Sequence, residues 1–155
     1  MPRPIVAHIS TQALQHNLRM VRLYAPHARV AAVIKASGYG HGTLRVAQAL
    51  HDADAFALLN TEAAAQLRHA GLAHPIVMLE GMFAASEIDD YIALHLIPVL
   101  HQPEQLQWLL QAELSRPFDV WVKLNTGMNR LGFHPAQLPQ VLQQLQSSGN
   151  VNRIT

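Results

Sequence analysis

The chain has no cysteine, little charge and no long apolar run, and each absence narrows what it can be. Without cysteine there are no disulfides and no thiolate metal sites, which suits a cytoplasmic setting. Acidic and basic residues together make up 14% of the 155 residues, with a net charge of +1. The basic residues form no stripe or run, so the electrostatic footprint of a nucleic-acid binder is missing. No apolar stretch approaches the roughly 18 residues of a membrane span. The start, Met1-Pro2-Arg3-Pro4, has no apolar segment behind its single arginine, and predicts no secretory signal. Histidine is abundant for this length, at ten residues. His27, His51, His69, His74, His95 and His101 fall mostly at expected helix ends and loops, which points to capping and surface roles. No pair has ligand spacing beside a carboxylate, so no metal site is expected.

Half of the residues are apolar, enough for the core of an ordinary domain. They are arranged in a rhythm. Residues 5–9 read as a short strand, and Ser10 as the cap of a helix with Leu14, Leu18 and Val21 on one face. Apolar runs at 30–36, 55–59, 75–79, 96–100 and 118–124 read as buried strands, and 151–155 as a possible sixth of that kind. Between them lie amphipathic stretches. One starts after Asn60 and ends at Gly71, and Ser86 to Asp89 resembles a capping box. Another starts at Pro103 and carries Leu106, Leu109, Leu110 and Leu114; a last one carries Leu138, Val141, Leu142 and Leu145. Strands apolar on both faces, separated by helices, predict parallel βαβ units. Either an open doubly wound sheet or part of a (β/α)8 barrel fits, and a whole barrel usually needs about 250 residues.

Two segments carry chemistry. In Ala32-Val33-Ile34-Lys35-Ala36-Ser37-Gly38-Tyr39-Gly40-His41-Gly42 a lysine ends a buried strand and opens into a glycine-rich loop. Active sites of parallel α/β proteins lie at that end of the strands. A lysine with its stem among apolar neighbours is disfavoured as a cation, leaving free amine for a Schiff base. The glycines allow close backbone approach to a ligand, and Tyr39 adds a hydroxyl. The competing reading is a strand-end lysine reaching to solvent. The second segment is Trp121-Val122-Lys123-Leu124-Asn125-Thr126-Gly127-Met128-Asn129-Arg130-Leu131-Gly132-Phe133. Alternation puts Lys123 on the side opposite Val122 and Leu124, where an interior amine needs a partner or a modification. Arg130 offers a planar fork suited to a carboxylate.

The first string resembles the pyridoxal-phosphate attachment motif of alanine racemases, and the Lys123–Arg130 segment is similar to a second motif of that family. Asp52-Ala53-Asp54-Ala55-Phe56 and Leu79-Glu80-Gly81 look like further family stretches. The resemblance spans essentially the whole chain and matches the N-terminal portion of a racemase. It implies that residues 1–155 form part of a (β/α)8 TIM-type barrel domain, with the family's C-terminal β-domain outside them. It also implies pyridoxal 5'-phosphate as cofactor, alanine as substrate, D-alanine supplied to peptidoglycan, and a homodimer. Lys35 would hold the cofactor as a Schiff base and act as catalytic base for one enantiomer. Tyr39 would contact the cofactor phosphate. Arg130 would bind the substrate carboxylate near the cofactor's phenolic oxygen. Lys123 matches a lysine that is carbamylated in many members. The second acid/base is a tyrosine from the partner subunit's C-terminal domain, and no residue here matches it.

Two departures stand out. Ser37-Gly38 replaces the usual asparagine-alanine, and Asn125 replaces a common aspartate, removing a carboxylate beside Lys123. The 155 residues alone are expected to be inactive as a racemase and to associate, because a barrel short of its last strands has unpaired edges. The alternative function is a non-catalytic pyridoxal-phosphate-binding homeostasis protein of the same barrel fold. A fragment with only a structural role is a third class.

Overall fold

The computed structural model describes residues 4–155, so the reading of the first residues lies largely outside it. Ser10 caps the opening helix as expected: its side chain accepts from the Ala13 amide at 3.2 Å, and α1 runs Thr11–Tyr24. From there strands and helices alternate. They are β1 (Ala31–Val33), the short turn α2 (Lys35–Tyr39), α3 (Thr43–Ala49), β2 (Ala55–Leu58), α4 (Thr61–His69) and β3 (Ile76–Met78). Then come α5 (Ile88–Ala93), β4 (Leu96–Leu100), α6 (Pro103–Gln111), β5 (Phe118–Val122), α7 (Leu138–Gln146) and β6 (Val151–Ile154).

The six strands form one sheet in the order β1-β2-β3-β4-β5-β6, every neighbouring pair parallel. That order decides between the two architectures. A doubly wound sheet reverses its strand order at a switch point, whereas a barrel adds each strand beside the last. The chain has a parallel α/β barrel-type fold, of which it supplies six consecutive strands.

Registry separates the two faces of the sheet. Val33 sits opposite Ala57, Ala57 opposite Val77, Val77 opposite Ile97, and Val99 opposite Trp121. These inner residues form a small cluster of Ala57, Val77 and Val99 with Leu79, Ile97 and Trp121 against it. The outer residues are bulkier. Phe56, Leu58, Ile76, Met78, Leu100 and Val120 join Val46, Leu67, Leu109 and Leu145 of the helices in the main core. Each fully buried side chain of this size contributes about 1.5–3 kcal/mol, so the fold rests chiefly on the helix-facing side.

Caps and stops follow the sequence at several points. Asn60 accepts from the Ala63 amide, Pro103 opens α6, and Gly71 takes φ +79° after α4. Four expectations fail. Residues 5–9 form no strand, and Ile5 and Val6 are 80% and 69% exposed. An extended segment becomes a strand only by pairing, and none of the described residues pairs with it. The strand expected over 30–36 stops at Val33, because the chain turns into a left-handed conformation from Ala36. Ser86 does not cap α5; a 3-10 turn, Ala85–Glu87, leads into it, and the Glu87 carboxylate accepts from the Phe83 amide instead. Leu114 lies beyond α6, whose end is sealed by Asn150: its Nδ2 donates to the carbonyls of Leu109 and Ala112 at 2.8 Å each.

Candidate active site

The loops that follow β1, β3 and β5 gather at the C-terminal mouth of the barrel, and each is built differently. The first is the left-handed one. Ala36, Ser37, Gly38 and Tyr39 have φ of 50°, 56°, 61° and 55°, and Gly40 and Gly42 are also at positive φ. L-residues pay about 1–2 kcal/mol each for this handedness, so surroundings must enforce it. The turn closes on itself: Gly38 N donates to Ile34 O, Gly40 N to Ala36 O and Gly42 N to Ser37 O.

Lys35 stands where strand and turn meet. Ile34, 1% exposed, belongs to the helix-facing core, and Lys35 opens the turn directly after it. The lysine is half-buried and lines a cleft of about 440 Å³ with Ser37, Thr43, Asn60 and Glu62. Tyr39, at the far end of the turn, is 59% exposed.

The loop after β3 is tied from beneath. Gln105 Nε2 donates to the carbonyls of Glu80 and Met82, and its Oε1 accepts from the His101 amide. The His101 ring meets Glu80 O at 2.8 Å, and the Tyr91 hydroxyl donates to Gly81 O. Burial, helped by the Glu87 charge, pushes the Tyr91 hydroxyl well above its ordinary range, so it stays a neutral donor. Gly81 is required here: a Cβ would sit 2.5 Å from Val99 O. His101 is therefore a buried network member, correcting the capping or surface role read for it, because the carbonyl of Glu80 turns inward to meet it.

After β5, Lys123 follows Trp121 on the inner face, while Val122 and Leu124 pack on the outer core, as alternation predicts. Lys123 lines a second cleft with Leu79, Val99 and Trp121. Its carbonyl accepts from Phe133 N at 2.8 Å, which closes the Arg130 loop at its base. Asn125 organises that loop. Its Oδ1 accepts from the amides of Gly127 and Asn129 at 3.1 and 3.0 Å, and its Nδ2 donates to Asn129 Oδ1. Arg130 is exposed at the rim. The sequence reading treated Asn125 only as a lost carboxylate and missed this role; the signal was Asn-Thr-Gly, a side-chain-closed turn.

The fold thus brings Lys35, Tyr39, Lys123 and Arg130 to one mouth, without a hydrogen bond or ion pair joining them to one another among the described residues. The arrangement offers an amine, a phenol and a guanidinium around the open end of a parallel barrel. The fold defines a β/α-barrel protein that carries Lys35, Tyr39, Lys123 and Arg130 at the C-terminal ends of its strands.

Comparison with known proteins makes this specific. The family model described as alanine racemase, N-terminal domain, matches residues 9–155. An alanine racemase of Photobacterium profundum is 46% identical over 145 residues, covering 94% of this chain and 40% of the relative. A protein of Salmonella typhimurium named alanine racemase, catabolic, is 46% identical over all 155 residues and 44% of its own length. The crystal structure of biosynthetic alanine racemase from Pseudomonas aeruginosa superposes with a TM-score of 0.93 at 41% identity, covering 99% of this chain and 43% of that one. The chain belongs to the alanine racemase family and spans less than half the length of the curated relatives it matches. That membership displaces the homeostasis-protein reading.

Proposed function

We propose that this chain is the cofactor-binding barrel portion of a cytoplasmic, homodimeric enzyme that interconverts L-alanine and D-alanine and supplies D-alanine for peptidoglycan. The supporting observation is that Lys35 stands at the C-terminal end of β1, on the turn that carries Tyr39 and at the same end of the barrel as the Arg130 loop. No helix among the described residues is long and apolar enough to cross a membrane.

The residues fit pyridoxal 5'-phosphate in their chemistry. An accessible primary amine suits the aldehyde, a phenolic hydroxyl suits a phosphate oxygen, and a guanidinium suits a phenolic oxygen or carboxylate. Bound at Lys35, the cofactor supplies an electron sink for the pair left behind when the substrate's α-proton departs. Lys35 Nζ, free as an amine, takes or returns that proton on one face of the α-carbon. The Arg130 fork orients the substrate carboxylate, and Asn125 keeps the loop that carries it in shape. Lys123 is the candidate for carbamylation; as an anion it would attract Arg130. The acid/base for the opposite face is a tyrosine of the partner subunit's C-terminal β-domain, outside these residues.

The test is a chiral assay of D-alanine formed from L-alanine by the full-length protein with pyridoxal phosphate. Lys35→Ala should remove the visible absorbance of lysine-bound cofactor and lower turnover by at least about 10³-fold. Full activity in that variant, or none in the parent protein, would sink the reading.

A further inference from the structure

The handedness of α2 needs a cause beyond its own backbone bonds, since a right-handed turn of the same residues closes just as many. The cause stands behind it, on α3. Gly38 is buried, and a Cβ placed on it would lie 2.8 Å from Cγ2 and 3.3 Å from Cβ of Val46. Val46 itself is 5% exposed and belongs to the main core, so it cannot move away. Gly38 is also held through its carbonyl, which the His41 ring meets through Nδ1 at 2.9 Å. One glycine is thus held at its bare Cα by a branched core side chain and at its carbonyl by a ring.

We propose that Val46 is a positioning residue for the lysine site: seated on the bare Cα of Gly38, it holds the turn in its left-handed sense and so sets where Lys35 and Tyr39 stand. This rests on the reading of Lys35 and Tyr39 as the cofactor-binding pair. In this role Val46 acts through the turn, by its approach to Gly38. Handedness matters to the site because Lys35 and Tyr39 are its two ends. Reversing the turn would carry the Tyr39 hydroxyl to a different side of the lysine.

Reciprocal rescue separates this role from ordinary core packing. In the full-length protein, Gly38→Ala, Val46→Ala and the double variant are compared by two readouts. One is hydrogen exchange at the amides of Gly40, His41 and Gly42. The other is the pyridoxal phosphate concentration that half-saturates visible absorbance. Gly38→Ala overpacks the seat and should raise both exchange and half-saturation by about tenfold. Val46→Ala empties it and should raise exchange at the same amides by a few-fold. The double variant trades the two Val46 methyl groups for one at position 38, and should fall between Gly38→Ala and the parent in both readouts. An alanine at φ +61° stays strained even where the space exists, so that recovery is partial.

A double variant no better than Gly38→Ala would overturn the proposal, as would unchanged exchange in Val46→Ala. If the parent protein takes up no pyridoxal phosphate, the functional reading falls, while the exchange arm still decides the seat.

Discussion

The two ends of the barrel handle their cations in opposite ways. At the N-terminal mouth four arginines, Arg22, Arg68, Arg116 and Arg153, are committed to the fold. Arg22 pairs with Asp54 at 2.8 Å, and Arg153 with Asp119 at 2.6 Å. Arg68 donates to the carbonyls of Leu72, His74, Leu94 and His95, and Arg116 to that of Ile92. At the C-terminal mouth Arg130 stands exposed on its loop. There neutral amides, Asn125 and Gln105, hold the loops after β5 and β3. The contrast is between arginines bonded to carbonyls and carboxylates at one end and an exposed guanidinium at the other.

That contrast can be broken experimentally. The largest effect is expected at Arg130. Replacing it with alanine should lower kcat/KM for racemisation by about 10²–10³-fold, the loss of a charge-assisted fork, with the melting temperature little changed. A melting temperature that drops with the activity would show that the guanidinium is structural after all. Next comes Arg68→Ala, which leaves inward-facing carbonyls of two loops without their donor. It should cost about 2–3 kcal/mol in denaturant unfolding. An unchanged midpoint would mean that water replaces the guanidinium fully.

The smallest effect is a pH dependence at the N-terminal end. The Arg22 hydrogen bond and the Val30 amide hold the Asp54 carboxyl below its ordinary value. A group whose folded-state pKa is depressed stabilises the fold above the unfolded value, and loses that contribution as pH falls through the folded one. Asp54→Asn should therefore melt below the parent at neutral pH, and the gap should close as pH falls below the ordinary aspartate range. A gap constant with pH would assign the effect to geometry instead of charge.

Much of this molecule could be read from the chain. Strand positions followed from apolar runs, Ser10, Asn60 and Pro103 opened helices where expected, and alternation put Lys123 on the inner face. These are local patterns, and tertiary contacts agree with them. The left-handed turn was hidden for the opposite reason. Val33, Ile34 and Ala36 read as more strand, and nothing nearby in sequence signals that Val46 will stand against Gly38. Asn125 was legible as a departure from a family pattern but not as a loop organiser, because its value lies in which amides it reaches. The strand expected at 5–9 failed because apolarity alone supplies no pairing partner.

The mirror-handed turn also inverts a common rule of protein engineering. Stabilisation programmes replace loop glycines with alanine to shrink the unfolded ensemble, and avoid adding glycine. In residues 36–42 that recipe runs backwards, because alanine and serine already sit where glycine is at ease. A consensus or thermostability library built on this chain should leave Gly38, Gly40 and Gly42 fixed. Positions 36 and 37 are where a glycine would relax the backbone, and with it the grip on the lysine beside them.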